Sequence, residues 1–449
     1  MRAVRRLGSR VLALLRGSLW PVPLLAVTVA VVLGVLMPRL DEAVDSGDPG
    51  HPLAFVFGGG PAAARDLLAA IAGSLISVTG LTFSLTVVAL QLGSSQYSPR
   101  LLQTFASDRV VKYTLAQLIG TFVYALTVLR TVRTAEATDG EDAFVPRLSI
   151  SLAYLATLGS VAALVLFLGH LARSLRVETM LRDVHDEGRA TWARALPADA
   201  DEEPPGTASG PTGTPAVLTA RGSGFVVAVD EESLVAAARD AGVVLQLVPR
   251  VGDSVVEGTP VAHAWQRPGS PAEDLSGLER AVQRGVRLAY EREPDRDVAY
   301  SLRKVVDIAG RALSPGINDP TTAVHALSHV SAILGELVSR PARARRHHDG
   351  DGELRLVVPQ WGHRELLELG LDEPIQYASG QPAVLRRIAA LLREVAWRAP
   401  RERLSTDLRQ LMDRVAGVAR ESTAIGATEI RSWRTDLDEA LAGRWPPGS

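Results

Sequence analysis

Four long segments in the first 172 residues carry almost only apolar side chains, and no other feature constrains the fold as strongly. A helix needs about 20 such residues to cross the hydrocarbon core of a bilayer. The second and fourth segments contain no charged residue, and helices buried in globular domains rarely stay uncharged for so long. The predicted spans are Leu19–Met37, Leu67–Leu92, Tyr113–Leu129 and Leu148–Leu171. We therefore expect a four-span transmembrane domain over residues 19–172.

The arginines around these spans predict the orientation, because cytoplasmic flanks carry an excess of Arg and Lys. Five arginines lie in the basic N-terminus, residues 1–18, and Arg173 and Arg176 follow the fourth span. The loops are less decisive, since Arg130 and Arg133 flank the predicted outer loop. Met37-Pro38-Arg39 offers no small-x-small cleavage site, so the first span reads as an uncleaved anchor. We expect a multi-pass protein of the cell (inner) membrane with both termini cytoplasmic.

The second span carries two polar faces, placed by stepping 100° per residue around a helix. One narrow stripe comprises Gly73, Ser77, Gly80, Ser84 and Gln91. Small residues let helix backbones approach closely, so this stripe predicts a helix-packing seam. The nearly opposite face comprises Thr79, Thr82 and Thr86.

The threonine face has two interpretations. The threonines either bond back to their own helix or line a path for an ion or small solute, which Gln117 and Tyr124 of the third span would complete. Those two residues could equally bond across helices. No Asp, Glu or Lys lies well inside any predicted span, which counts against a proton-coupled transporter.

The C-terminal half predicts a cytoplasmic α+β region. A charged helix over 173–196 leads into a Pro/Gly-rich linker at 197–216, which lacks core-forming residues. A small β-rich module follows at 217–268, with strands at 225–229 and 243–248 around a helix at 231–240 and a glycine-bounded hairpin at 249–261. The hairpin resembles those of lipoyl-type modules, but no lysine is available there to carry a cofactor. Residues 269–445 predict a mainly helical domain, with helices at 275–291, 297–313, 321–338, 382–397, 401–421 and 428–441 and one strand at 353–358.

A turn between two of these helices is the third candidate site. It comprises Ser314, Pro315, Gly316, Asn318, Asp319 and Pro320. Asp319 as N-cap with Pro320 at the first position is a strong helix start. Free amides at Thr321 and Thr322 could bind an anion, but capping alone accounts for these residues.

Composition and motifs argue against a catalytic, cofactor-binding or metal-binding role. The chain has no cysteine, which excludes disulfides, thiolate metal sites and thiol nucleophiles. His325 and His329 have a spacing that could share a metal, yet no third ligand is evident, and His347-His348 reads as a solvated loop pair. No nucleotide-binding or hydrolase motif occurs, and a net charge of −2 gives no sign of nucleic-acid binding. We expect no enzyme activity, no cofactor and no metal.

Two stretches carry a family resemblance. Residues 74–109 (SLISVTGLTFSLTVVALQLGSSQYSPRLLQTFASDR) and 297–326 (DVAYSLRKVVDIAGRALSPGINDPTTAVHA) resemble the signature regions of bacterial predicted membrane proteins grouped as domain of unknown function 2254. The resemblance covers most of the chain. It implies four spans plus a cytoplasmic region, and it brings no activity or catalytic residue.

Two function hypotheses follow. The first is an oligomeric channel or pore-like protein, regulated by its cytoplasmic domain. The second is a membrane-anchored scaffold or sensor with a cytoplasmic docking module. Both place the protein in a lipid bilayer, as a homo-oligomer. The two faces of the second span separate the hypotheses, because a channel needs one of them to face a path.

Overall fold

The computed structural model describes residues 20–44, 58–96, 108–133, 144–174, 176–196, 213–266, 275–399 and 404–445. The chain divides into two compact units between Arg176 and Val177. The basic N-terminus, most of the linker at 197–216 and the loop that follows the second span lie outside the described residues, so those predictions stay predictions.

The first unit contains four helices that are long and apolar enough to cross a membrane, and we call it the membrane unit. They are α1 (Pro21–Val44), α2 (Pro61–Gln96), α3 (Arg109–Leu129) and α4 (Arg147–Ser174). Each coincides with a predicted span, so the prediction of a four-helix membrane α-helical domain is confirmed. α2 has 36 residues. At a rise of about 1.5 Å per residue it is about 54 Å long, longer than the ~30 Å hydrocarbon core.

The first helix extends beyond the predicted span, which ends at Met37. α1 continues through Pro38 to Val44, although proline deprives the carbonyl of Gly34 of its usual helical donor. The additional turns contain Asp41, whose carboxylate binds the first amides of α4. This tertiary contact explains why the helix outlasts the apolar segment.

α3 is the central helix of the membrane unit and packs against α1, α2 and α4. Its neighbours meet it through apolar residues such as Leu68 of α2 and Ile150 of α4, both fully buried. The other faces of α2 and α4 are apolar and exposed, as at Leu81 and Leu166, which are 60% and 67% exposed. Large apolar side chains on an outer surface fit lipid as the surrounding solvent.

The C-terminal unit begins with α5 (Val177–Ala195) and then combines two small sheets with helices. Its strands are β1 (Ala216–Thr219), β2 (Gly224–Val229), β3 (Val243–Leu247), β4 (Ser254–Val255), β5 (Pro260–Gln266), β6 (Val286–Ala289), β7 (Arg345–His348) and β8 (Leu354–Val358). Its further helices are α6 (Glu231–Asp240), α7 (Ser276–Gly285), α8 (Tyr300–Ala312), α9 (Pro320–Val338), α10 (His363–Tyr377), α11 (Pro382–Arg398), α12 (Ser405–Ala419) and α13 (Ala427–Leu441).

One sheet has the strand order β1-β5-β3-β8-β7 and the other β4-β2-β6. All pairs are antiparallel except β3 with β8. Leu245 and Ala262 lie in the apolar core that the strands share with α6 and α7. The helix predicted over 275–291 is wrong in its last part, because residues 286–289 pair with β2 instead.

The predicted hairpin at 249–261 is also corrected, since β4 and β5 belong to different sheets. Strands β6, β7 and β8 all lie beyond residue 268, so that predicted boundary does not separate a β-rich module from a helical domain. Period-two patterning identifies a strand but not its partner, and these partners are distant in the chain.

The remaining helices form a second core around α9 and α11. The predicted helices of this region recur within a few residues of their ends, and α10, which the sequence did not predict, is added. α10 contains Gly370 and Pro374, which interrupt a helical pattern. Gly370 instead lets α10 approach Leu334 of α9, where an added Cβ would lie 3.0 Å from the leucine side chain.

Candidate functional site

The threonine face of α2 points into the bundle. Thr79, Thr82 and Thr86 are 9%, 0% and 6% exposed. Their hydroxyls donate to the carbonyls of Leu75, Val78 and Thr82 at 2.6, 2.8 and 2.8 Å. A hydroxyl that donates to its own helix is satisfied without water. The arrangement is the one expected if these residues pack rather than line a path.

The opposite stripe of α2, from Gly73 to Gln91, is exposed. A Cβ added at Gly73 or Gly80 would meet no described atom within 4 Å. Ser77 donates to the carbonyl of Gly73 at 3.1 Å. Within the described part of one copy, therefore, this stripe does not join α2 to its neighbours, and a seam with a second copy stays a prediction.

Gln117 and Tyr124 bond across helices. The Gln117 amide donates to the carbonyl of Ala156 at 3.1 Å, and the Tyr124 hydroxyl donates to that of Ser149 at 3.1 Å. Between them Ser160 donates to the hydroxyl of Thr121 at 3.1 Å. These bonds join α3 to α4 and correspond to the packing interpretation of both side chains. The structure brings neither residue to the exposed stripe of α2.

Asp41 makes a buried polar contact that the sequence analysis did not identify. It is 6% exposed and accepts from the amides of Leu148 and Ser149 at 2.8 and 3.0 Å, and from the Ser149 hydroxyl at 2.6 Å. A carboxylate at a helix N-terminus satisfies free amides and complements the helix dipole. Asp41 is thus an N-cap supplied by another helix, and no local pattern could indicate it.

The other end of the bundle carries an acid–histidine pair. Asp108 caps α3 by accepting from the amide of Val110 at 2.8 Å. Its second oxygen lies 2.5 Å from His170 Nε2 of α4, and Ser174 lies 3.1 Å from the same nitrogen. The sequence held one indication of this contact, because Asp108 lies directly before α3, where an aspartate can cap a helix. Both ends of α4 are therefore tied to another helix by a carboxylate.

The turn at 314–320 closes on itself. Asn318 adopts a positive φ of 48°, and its side-chain oxygen accepts from Gln381 at 2.8 Å. Asp319 caps α9 by accepting from the amide and hydroxyl of Thr322, which holds the pKa of this carboxyl below its usual value. The carboxylate occupies the helix N-terminus that the anion hypothesis needed. Pro315 and Gly316 are exposed.

Comparison with known proteins identifies the family. Residues 16–394 match the family described as "Predicted membrane protein (DUF2254)". The chain belongs to this family. It is 33% identical over 387 residues to uncharacterized proteins of Mycobacterium bovis and Mycobacterium tuberculosis, covering 86% of this chain and 73% of each relative. No solved structure matches. The family resemblance inferred from the two signature stretches is confirmed.

The second signature stretch of this family member begins where α5 docks onto α8. The Trp192 indole is fully buried and donates to the carbonyl of Val298 at 2.9 Å. Gly188 is needed for the approach, because an added Cβ would lie 2.6 Å from the Ser301 hydroxyl. Thr191 donates to the carbonyl of Pro294 at 3.0 Å.

A buried ion pair secures the same contact. Lys304 of α8 is 1% exposed, and its ammonium lies 2.7 Å from a carboxylate oxygen of Glu187 on α5. The ammonium also lies 4.8 Å from the centre of the Tyr300 ring, within cation–π distance. A buried lysine is rare unless paired, so α5 is held by charge as well as by packing. The sequence held one indication of this ion pair, because Lys304 is a single lysine within an amphipathic helix.

A second buried carboxylate lies beside this contact. Asp297 is 2% exposed and accepts from Arg292 at 2.7 Å and from the amide of Ala299 at 3.1 Å. Burial raises the pKa of Asp297, and the Arg292 guanidinium opposes that rise. Gly252 has a φ of +97° and lies so close that a Cβ would be 2.5 Å from the carboxylate. The turn before β4 is therefore packed directly on the start of α8.

Two histidines of the C-terminal unit, His185 and His329, lie close together beside a carboxylate. The ring centres of His329 and His185 are 6.0 Å apart, and Nε2 of His185 lies 3.4 Å from a carboxylate oxygen of Glu336. Burial, with His185 and His325 nearby, lowers the pKa of His329. Among the described residues no group of three or more His, Asp or Glu has a metal-binding arrangement. His347 is not a solvated loop residue as predicted, because it lies in β7, 3.0 Å from Glu231.

Proposed function

We propose that this protein is a membrane-anchored scaffold or sensor, in which the four spans anchor an assembly and the C-terminal unit is the docking or sensing part. The observation that carries the proposal is the direction of the threonine face. The channel hypothesis relied on Thr79, Thr82 and Thr86 lining a path, and all three pack inside the bundle with their hydroxyl hydrogens donated to their own helix.

The docking of α5 supports the sensing part of the proposal. α5 begins three residues after α4 ends, and the buried Glu187–Lys304 pair and Trp192 hold it on α8. α5, the helix of the C-terminal unit that lies nearest in sequence to the last span, is therefore fixed within its own unit. The proposal includes no catalytic activity.

A conduit between copies is the second candidate, favoured by the exposed stripe of α2. Gly73, Ser77 and Gly80 present small or polar groups on a surface that is otherwise apolar. If several copies placed this stripe around an axis, the stripe rather than the threonines would face a solute. The two candidates share a homo-oligomer in which α2 contacts its copies closely.

Electrical recording from the purified full-length protein in planar bilayers separates the candidates. The scaffold proposal expects a silent membrane under varied salts and voltages. It also expects that changing all three threonines to valine leaves oligomeric state and unfolding temperature unchanged. The matched control changes the same positions to serine, which keeps the hydroxyls. Currents that the valine variant abolishes and the serine variant retains would overturn the proposal and restore the threonine-lined channel.

The oligomer is tested on α2 itself. We expect Gly80→Leu to shift the protein toward monomer in detergent, as measured by light scattering, because leucine prevents close approach of the backbones. Ser74→Leu enlarges an exposed residue about 100° away from the stripe and is the matched control. If both variants keep the native oligomeric state, the stripe is not the contact.

We also propose that both termini lie in the cytoplasm, on the strength of the flanking arginines. The absence of cysteine makes the test clean, because a single introduced thiol is the only label site. Thr138→Cys in the predicted outer loop should react with a membrane-impermeant maleimide on intact cells. Ser449→Cys should react only after lysis. The reverse pattern would invert the topology.

A further inference from the structure

One cavity of the membrane unit is built from charged side chains. It has a volume of about 360 Å³ and lies between the end of α1 and the end of α3. Three arginines line it, Arg39, Arg130 and Arg133, and Glu42 is the one carboxylate among the described lining residues. Glu42 and Arg133 are 3.9 Å apart. The remaining arginines give the cavity an excess of positive charge.

The helices themselves shape the floor of the cavity. α1 and α3 touch at Gly34 and Thr127, where an added Cβ on Gly34 would lie 2.7 Å from the threonine side chain. Both residues line the cavity. Beyond this contact the helices leave space between them. Arg39 lies near the end of α1, and Arg130 and Arg133 follow the end of α3. Any residue larger than glycine at position 34 would force the floor apart.

The rim is held by backbone hydrogen bonds. The amide of Arg133 donates to the carbonyl of Phe144 at 3.1 Å, and the amide of Phe144 donates back at 3.2 Å. This bridge brings an aromatic residue, Phe144, to the lining of the cavity. Asp41, the neighbour of Glu42, does not line the cavity and is engaged by the N-terminus of α4 instead. The cavity therefore combines cationic and apolar lining.

Position in the bilayer indicates the ligand. Arg39 follows the apolar segment of α1 by two residues, and Arg130 directly follows α3, so both lie where the hydrocarbon ends. Lipid phosphates occupy this level at either face of the bilayer, where the hydrocarbon core gives way to the headgroup region. Guanidinium groups match phosphate oxygens in pairs. The volume falls within the ~300–1,000 Å³ of small-molecule sites.

We infer that this cavity binds a phosphate group, supplied by the headgroup of an anionic phospholipid. The phosphate lies among Arg39, Arg130 and Arg133, and Phe144 covers the glycerol carbons. A free phosphate ion would satisfy the same guanidinium groups, so the test distinguishes the two sources. The inference is independent of whether the protein is a scaffold or a conduit.

The test uses the full-length protein, purified in detergent and exposed to phosphatidylglycerol or phosphatidylcholine, with bound lipid counted by native mass spectrometry. We expect selective retention of phosphatidylglycerol. The double variant Arg39→Gln, Arg130→Gln should lower that retention at least about tenfold, since each charge-assisted contact to phosphate is strong. Arg147→Gln is the matched control, because Arg147 lies at the same end of the bundle but does not line the cavity.

A second arm adds inorganic phosphate without lipid and measures the thermal unfolding midpoint. A phosphate-dependent rise that the double variant abolishes, without any preference for phosphatidylglycerol, overturns the lipid source and keeps the phosphate site. Equal lipid retention by wild type and both variants, with no effect of phosphate, overturns the inference. If the glutamine variant fails to fold, Arg39→Lys with Arg130→Lys keeps the charge but loses the paired geometry. Retention by this lysine variant must then fall below that of Arg147→Gln, and retention equal to the control overturns the inference.

Discussion

The membrane unit and the C-terminal unit distribute their polar groups in opposite ways. In the membrane unit Leu81 and Leu166 face outward while Thr82 and Ser149 are fully buried. In the C-terminal unit Leu302 and Leu327 are fully buried, and most Arg–carboxylate pairs lie at the surface, as at Arg409 and Asp438. The difference follows from the solvent, because water favours burying apolar surface and lipid gives no such preference.

The exceptions in each unit are more instructive than the rule. Asp41 and Lys304 are both charged residues buried against a helix from elsewhere in the chain. Each joins elements that apolar contact alone would hold less specifically. The comparison therefore predicts that substitutions at such polar contacts destabilise the protein more than substitutions at surface ion pairs.

The largest expected effect comes from Lys304→Ala. It leaves Glu187 without its partner and removes packing beneath Tyr300, so the cost is about 3 kcal/mol, at the low end for a buried pair because Glu187 is partly exposed. Hydrogen exchange of α5 and α8 in the full-length protein measures the opening free energy. Arg409→Ala breaks an exposed pair and should cost less than about 1 kcal/mol. Equal costs would remove the distinction between the buried and the surface pairs.

Gly188→Ala comes next. The new Cβ would lie 2.6 Å from the Ser301 hydroxyl and 2.7 Å from the Trp192 ring. Overpacking of this kind costs about 1–3 kcal/mol. Gly417→Ala is the control, because its Cβ would meet nothing within 4 Å in a helix, where alanine gains up to about 1 kcal/mol over glycine. Opposite shifts in the unfolding midpoint are expected, and an unchanged or raised midpoint in Gly188→Ala would show that the docking of α5 is not tight.

Asp41→Ala tests the corresponding contact of the membrane unit. It removes the cap of α4, which costs about 1–2 kcal/mol. The amides of Leu148 and Ser149 should exchange faster in the variant. Asp66→Ala changes an exposed carboxylate on α2 and should leave that exchange unaltered. Unchanged exchange in Asp41→Ala would mean that lipid or water caps α4 equally well.

The smallest effect is a pH dependence at His329. Burial and the neighbouring imidazoles of His185 and His325 lower the pKa of His329 below the usual 6.5, and Arg189, Glu178 and Glu336 are the other charged groups of this cluster. The folded state then holds fewer protons than the unfolded state, so stability falls as pH falls through 6.5. The loss is complete once pH lies below the folded-state pKa.

The unfolding midpoint of wild type at pH 7.5 and 5.5 measures this loss. His329→Gln should reduce the acid-induced decrease, whereas His348→Gln, at an exposed position, should not. Identical decreases in wild type and His329→Gln would exclude His329 as the cause. The apolar helices of the membrane unit should keep their hydrogen-exchange protection throughout.

Local patterns predicted much of the secondary structure. The four spans and α9, with its Asp319 cap and Pro320 start, come from periodicity and end signals. Residues 286–289 show the limit, since Val-Arg-Leu-Ala suits a helix or a strand and only pairing with β2 decides between them. α10 was missed because Gly370 and Pro374 look like breaks until α9 packs against them.

The candidate site residues divide in the same way. The sequence placed Thr79 and Gly80 on different faces of α2, because helical geometry is local. It could not determine which face is buried, since lipid and a neighbouring helix accept the same apolar side chains. Only the position of α3 decides that the threonines pack inside.

The sequence by itself determined that this chain has four apolar helices and a mixed C-terminal unit, and to which family it belongs. The tertiary structure decided which polar residues meet: Asp41 with α4, Lys304 with Glu187, and three arginines around one cavity. The physical reason is the distance along the chain over which each effect acts. Hydrophobicity and helix geometry act within a few residues, whereas each of these charges acquires its partner from an element that only folding brings near.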